Sequence, residues 1–141
     1  MKKVFITIIA VLMFFNVVSA NDYDNIRVYI NDVELICDVK PMLVNGRTML
    51  PLRAILNGLS VPDEDIVWWQ DTEVAEVTHK DMHIFMPVGF DCAYVNGEKR
   101  ELDSPAFVEE GRTMVPVRFL SETLNFKVSW DEETATVYIE K

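Results

Sequence analysis

The chain has little of what most catalytic sites are made from. Only two histidines and two cysteines occur in 141 residues. Neither histidine stands near a Gly-x-Ser-x-Gly phrase, and nothing resembles a nucleophile elbow. Carboxylates are so common that a pair chosen from 23 acidic residues says nothing about glycoside chemistry. These absences point away from an enzyme, and no cofactor is expected. Basic residues are scarce too: 13 Lys and Arg face 23 Asp and Glu, a formal net charge of −10. Nucleic-acid binding rests on neutralising phosphates with cations, so this balance argues against it. The same deficit argues against docking on an anionic membrane surface.

Residues 1–20 read as a signal peptide. Lys2 and Lys3 form a positive start, Val4 to Phe15 is apolar but for Thr7, and Val18-Ser19-Ala20 supplies a cleavage site. The apolar stretch contains Asn16 and ends by Val18, short of the ~20 residues that span a bilayer. No cysteine follows it to carry a lipid. The expectation is a secreted, extracytoplasmic protein with no membrane insertion after cleavage. Without Lys2 and Lys3, 11 basic residues face 23 acidic ones, a net charge of −12. The remaining 21–141 has the length of one domain with a real core. In an exported chain Cys37 and Cys92 are candidates for a disulfide tying its halves together.

What the sequence does contain is a phrase written twice. Asn45 to Leu56 reads NGRTMLPLRAIL, and Glu110 to Ser121 reads EGRTMVPVRFLS. At a shift of 65 residues, positions 29–59 and 94–124 agree at ten of 31 places. Unrelated sequence of this composition would agree at about two, so the chain reads as an internal duplication, with repeats at about 24–80 and 81–141. Val61 to Asp65 is an insertion in the first copy, after which Trp68 or Trp69 matches Trp130.

Each copy carries the same local signals. Asn31-Asp32 and Asn96-Gly97 suit tight hairpin turns at positive φ. Gly46 and Gly111 permit a turn where a Cβ would be strained. Pro51 and Pro116 suit the start of a helix, where the missing N–H costs nothing. Leu52, Ile55 and Leu59, like Val117, Leu120 and Leu124, then form one apolar stripe. Hairpins follow at 67–78 and 128–139, and Met82 to Met86 is predicted to pair back on Val74 to Thr78. The predicted class is α+β: duplicated β-β-α-β-β units, antiparallel throughout, with sheets packed on short helices.

The run from Tyr94 to Ile139 combines a Val-Asn-Gly hairpin, Gly-Arg-Thr-Met-Val-Pro-Val-Arg, a short helix and Trp-Asp before a last strand. In this it resembles the copper amine oxidase N-terminal domain-like family, also called the stalk domain. Tyr29 to Thr78 matches with more departures: Asp32 replaces the turn glycine, and Trp69-Gln70 replaces Trp-Asp. The resemblance implies an antiparallel sheet curled around a short helix, in an extracytoplasmic module of a Gram-positive bacterium. It implies neither copper nor quinone, because the family's stalk carries neither.

Several side chains are candidates for a site. Arg47, Arg53, Arg112 and Arg118 are either anion clamps or scaffold residues paired with Asp38, Asp103, Asp131 or turn carbonyls. Trp68 and Trp69 are adjacent on a strand and so point to opposite faces. One is expected to be exposed, near Tyr94 or Tyr138, as a platform for a sugar ring; Trp130 is the third such candidate. His79 and His83, with Met82 and Met86, suggest a metal site if a three-residue loop sets the imidazoles face to face; the string also reads as an ordinary strand. Asp131-Glu132-Glu133 lacks the spaced oxygens of a calcium loop.

The function read from these residues is a non-catalytic binding module at the cell envelope, whose partner is a cell-wall polysaccharide or an envelope protein. A chain closing at Lys141, directly after its last strand, is expected to work through its own surface rather than carry a catalytic domain. A small metal-binding protein using His79 and His83 is one alternative, and a self-associating structural protein with open sheet edges is another.

Overall fold

The computed structural model describes residues 25–141; the signal peptide predicted at 1–20 lies outside the described residues. The described chain begins with a hairpin of β1 (Arg27–Ile30) and β2 (Val33–Glu34), turning at Asn31 and Asp32 with φ of 45° and 66°. Asp32 thus turns as a glycine would. A second hairpin joins β3 (Met42–Val44) to β4 (Arg47–Pro51) through Asn45 and Gly46, both at positive φ. Pro51 closes this strand and caps α1 (Leu52–Gly58).

A 3-10 turn at Asp63–Asp65 leads to β5 (Ile66–Trp69), β6 (Val74–His79) and β7 (Met82–Pro87). The hairpin of β8 (Cys92–Val95) and β9 (Glu98–Glu101) follows, then that of β10 (Phe107–Glu109) and β11 (Arg112–Pro116). The chain closes with α2 (Val117–Thr123), β12 (Lys127–Asp131) and β13 (Thr136–Glu140). The class is α+β, mostly sheet with two short helices. Among the described residues no helix is long and apolar enough to cross a membrane.

Among the described residues three sheets form, in the orders β12-β13-β1-β2, β10-β11-β4-β3 and β5-β6-β7-β8-β9. The hairpins β3-β4 and β10-β11 add strands where the sequence predicts a turn running into a helix. The prediction of antiparallel pairing throughout also needs correction, because β1 runs parallel to β13. The register explains the choice: Val28 meets Val137 and Ile30 meets Ile139, all buried, while Tyr29 and Tyr138 stack at 5.7 Å on the opposite face. A parallel partner at that distance in sequence is selected by matched apolar faces, not by a local turn.

Residues 25–80 and 81–141 therefore interleave, each contributing strands to all three sheets. At their junction β4 pairs with β11, setting Leu50 against Val115, and both are fully buried. The helices, each of seven residues, lie over this junction with Leu52, Ile55 and Leu56 of α1 and Val117, Leu120 and Ser121 of α2 turned inward. Helices this short hold only through such packing. One apolar cluster runs from Ile26 to Ile139, and a small one joins Val39, Met49 and Met114.

Candidate functional site

The outer face of the five-stranded sheet carries two exposed aromatics, Trp69 and Tyr94. Strand alternation sends Ile66 and Trp68 inward and Val67 and Trp69 outward. Trp69 is 51% exposed, whereas Trp68 is only partly so and packs on the core. The register then aligns Val67, Glu76, Phe85, Tyr94 and Lys99 in one row across all five strands. Phe85 and Tyr94 meet edge to face at 6.2 Å, and Tyr94 is 37% exposed. Trp69 and Tyr94, singled out in the sequence, thus share a face; Trp68 and Trp130 lie elsewhere.

Glu76 organises one end of this face. Its Oε2 accepts from Trp69 Nε1 at 2.6 Å, and its Oε1 lies 2.7 Å from His83 Nε2. The His83 hydrogen bond, and after it the Trp69 donor, hold the Glu76 carboxyl below its ordinary pKa, so it stays ionised at neutral pH. The arrangement fixes the indole plane while leaving its outer surface open. Sequence reading missed Glu76; only the alternation of β6 with its two neighbours could have pointed to it.

His79 and His83 do not face each other. The β6–β7 loop is two residues long, so His79 pairs with Met82 and His83 with Thr78. This register sets the imidazoles on opposite faces of the sheet, and His79 Nδ1 meets Asp65 Oδ2 at 2.7 Å. Asp65 belongs to the inserted segment of the first copy. No group of three or more His, Cys, Asp or Glu able to hold a metal occurs among the described residues.

The arginines of the twice-written phrase reach carboxylates. Arg47 donates from Nε to Asp103 at 2.8 Å, and Arg112 to Asp38 at 2.8 Å, so each crosses from one half of the chain to the other. Arg53 bonds Asp63 and the Ile66 carbonyl, both at 3.1 Å, tying α1 to β5. Arg118 pairs with Glu122 one turn along α2. Arg112, followed by the Val39 N–H, holds the Asp38 carboxyl below its usual range. Cys37 and Cys92 stand as free thiols in this structure; burial, with the Asp38 charge, pushes Cys37 up to about 11.

Two clefts are lined by corresponding residues. One, of 740 Å³, lies between Pro51, Leu52, Arg53 and Trp68 on one side and Gly111, Arg112, Thr113 on the other. The second, of 370 Å³, lies between Pro116, Val117, Arg118 and Trp130 and the turn Gly46, Arg47, Thr48. Each is bordered by two strands that end their sheets: β5 and β10 for the larger, β12 and β3 for the smaller.

No curated protein matches the chain. The family model described as copper amine oxidase N-terminal domain matches residues 29–139, which span all but the outer ends of this fold, and the chain belongs to that family.

Proposed function

We propose that this chain is a secreted, non-catalytic, stalk-type module that acts at the envelope of a Gram-positive bacterium by binding a cell-wall glycan. The observation that carries the reading is the half-exposed Trp69, held in orientation by Glu76 on a face shared with Tyr94. A flat, oriented aromatic surface flanked by acceptors matches the apolar face and hydroxyl rim of a sugar ring. The paired clefts and the 65-residue correspondence of their linings support reading the chain as one duplicated unit.

Co-sedimentation of residues 21–141, which hold every described element, with insoluble cell wall, cellulose, chitin and xylan tests the proposal. Retention by one of these, lost in Trp69→Ala and kept in Trp68→Ala, is the expected result. No retention by any of them sinks it. An envelope protein is the second reading, supported by the two clefts, whose bordering edge strands leave backbone groups able to receive an extended segment.

A further inference from the structure

The Trp69 end of the outer sheet face is acidic. From Gln70 to Glu76 the chain carries Asp71, Glu73 and Glu76 and no lysine or arginine. Glu76 uses one contact on each carboxylate oxygen, to Trp69 and to His83. A carboxylate has about four lone-pair sites, so acceptor capacity remains. The basic group in the aligned row, Lys99, sits at the far side beside Tyr94, where Glu101 meets its Nζ at 3.5 Å. The whole chain is acidic as well, at −10. An aromatic surface beside an ionised carboxylate attracts a cation twice, through the ring quadrupole and through direct charge.

We infer that this face selects glycans bearing free, protonated amino groups over their N-acetylated counterparts, an inference that rests on the glycan reading above. The sugar ring lies on Trp69 and its ammonium group faces Glu76. Acetylation removes the charge and two of the three N–H donors, and so weakens both attractions.

Calorimetric titration of residues 21–141 at neutral pH with a glucosamine hexamer and an N-acetylglucosamine hexamer tests this, using Glu76→Gln, Trp69→Ala and Trp69→Phe variants checked for folding. The glucosamine hexamer is expected to bind on the order of tenfold more tightly. Glu76→Gln keeps an oxygen for the Trp69 N–H and should bring the two oligomers toward parity. Trp69→Ala should lose both, and Trp69→Phe should retain part of each. Equal binding of the two hexamers overturns amine selection while leaving glycan binding intact. If neither hexamer binds, and no wall polysaccharide is retained, the glycan reading falls with it. A preference unchanged in Glu76→Gln and matched by polylysine assigns it to net charge and overturns the site.

Discussion

Leu50→Ala is the sharpest test of how the two halves are joined. Leu50 lies on β4 directly opposite Val115 of β11, and neither is exposed to solvent. Removing three carbons forfeits ~2.4 kcal/mol of transfer free energy at ~0.8 kcal/mol per group. A residual cavity adds ~1 kcal/mol, so ~3.5 kcal/mol is expected, within the range of about 2–5 seen for buried leucines. A fold of about 120 residues has an unfolding entropy of ~0.25 kcal/mol/K, so the midpoint should fall by ~14 °C. Differential scanning calorimetry reads both the shift and the number of transitions. Because β1 pairs with β13 and every sheet draws on both halves, wild type and variant should each melt in one transition. A loss under ~1 kcal/mol, or a wild-type melt in two steps with only one affected, would refute the interleaved core.

Four further predictions follow from individual side chains. Ser121 is fully buried on α2 and its Oγ has no hydrogen-bond partner among the described residues, so Ser121→Ala should stabilise by ~1 kcal/mol through relieved desolvation and better helix propensity; a lower melting temperature would count against this. Gly46 and Gly111 have φ of 72° and 74°, and alanine at either should cost ~1–2 kcal/mol in urea titration, although a Cβ there meets no atom of the described residues within 4 Å. Asp38 has a folded pKa below its unfolded one, so its contribution is present above the ordinary aspartate range and lost as pH falls through the folded value. The stability difference between wild type and Asp38→Asn should therefore shrink in acid, and a constant difference from pH 7 to 3 would contradict the Arg112 contact. Cys37 titrates at about 11 and Cys92 is buried, so both thiols should resist alkylation at pH 8 until the chain is denatured; rapid labelling of either in the folded chain would be inconsistent with this packing.

Much of the local structure was legible because it is set by few residues. Asn45-Gly46 and Asn96-Gly97 dictate tight turns through their φ preference, and the spacing of Leu52 and Ile55 or Val117 and Leu120 gives the helices their buried faces. The strands ending at Pro51 and Pro116 were less visible: proline is a poor strand residue, and here it stands at the end of a strand that immediately becomes a helix. The parallel pairing of β1 with β13 depends on partners at opposite ends of the chain, which no local pattern encodes.

The site shows the same division. Alternation required Trp68 and Trp69 to point apart, but that Trp68 is the one packed on the core and Trp69 the one facing water became apparent only in three dimensions. One residue of loop length decided the histidines: a three-residue turn would set His79 opposite His83, and the two-residue turn sends them to opposite faces. The arginines were legible as a choice between ligand clamps and scaffold, and the crossed partners Asp103 and Asp38 became apparent only in three dimensions.

In the proposed function the outer sheet face, not the clefts, receives a glycan. Three tryptophans give three indole N–H signals in a proton–nitrogen spectrum, one for each candidate surface. Titration with solubilised cell-wall fragments should move the Trp69 indole and the backbone amides of β5 to β8, leaving the Trp68 and Trp130 indoles in place. Movement of the Trp68 or Trp130 signals with Trp69 unchanged would place binding in the clefts and contradict the account.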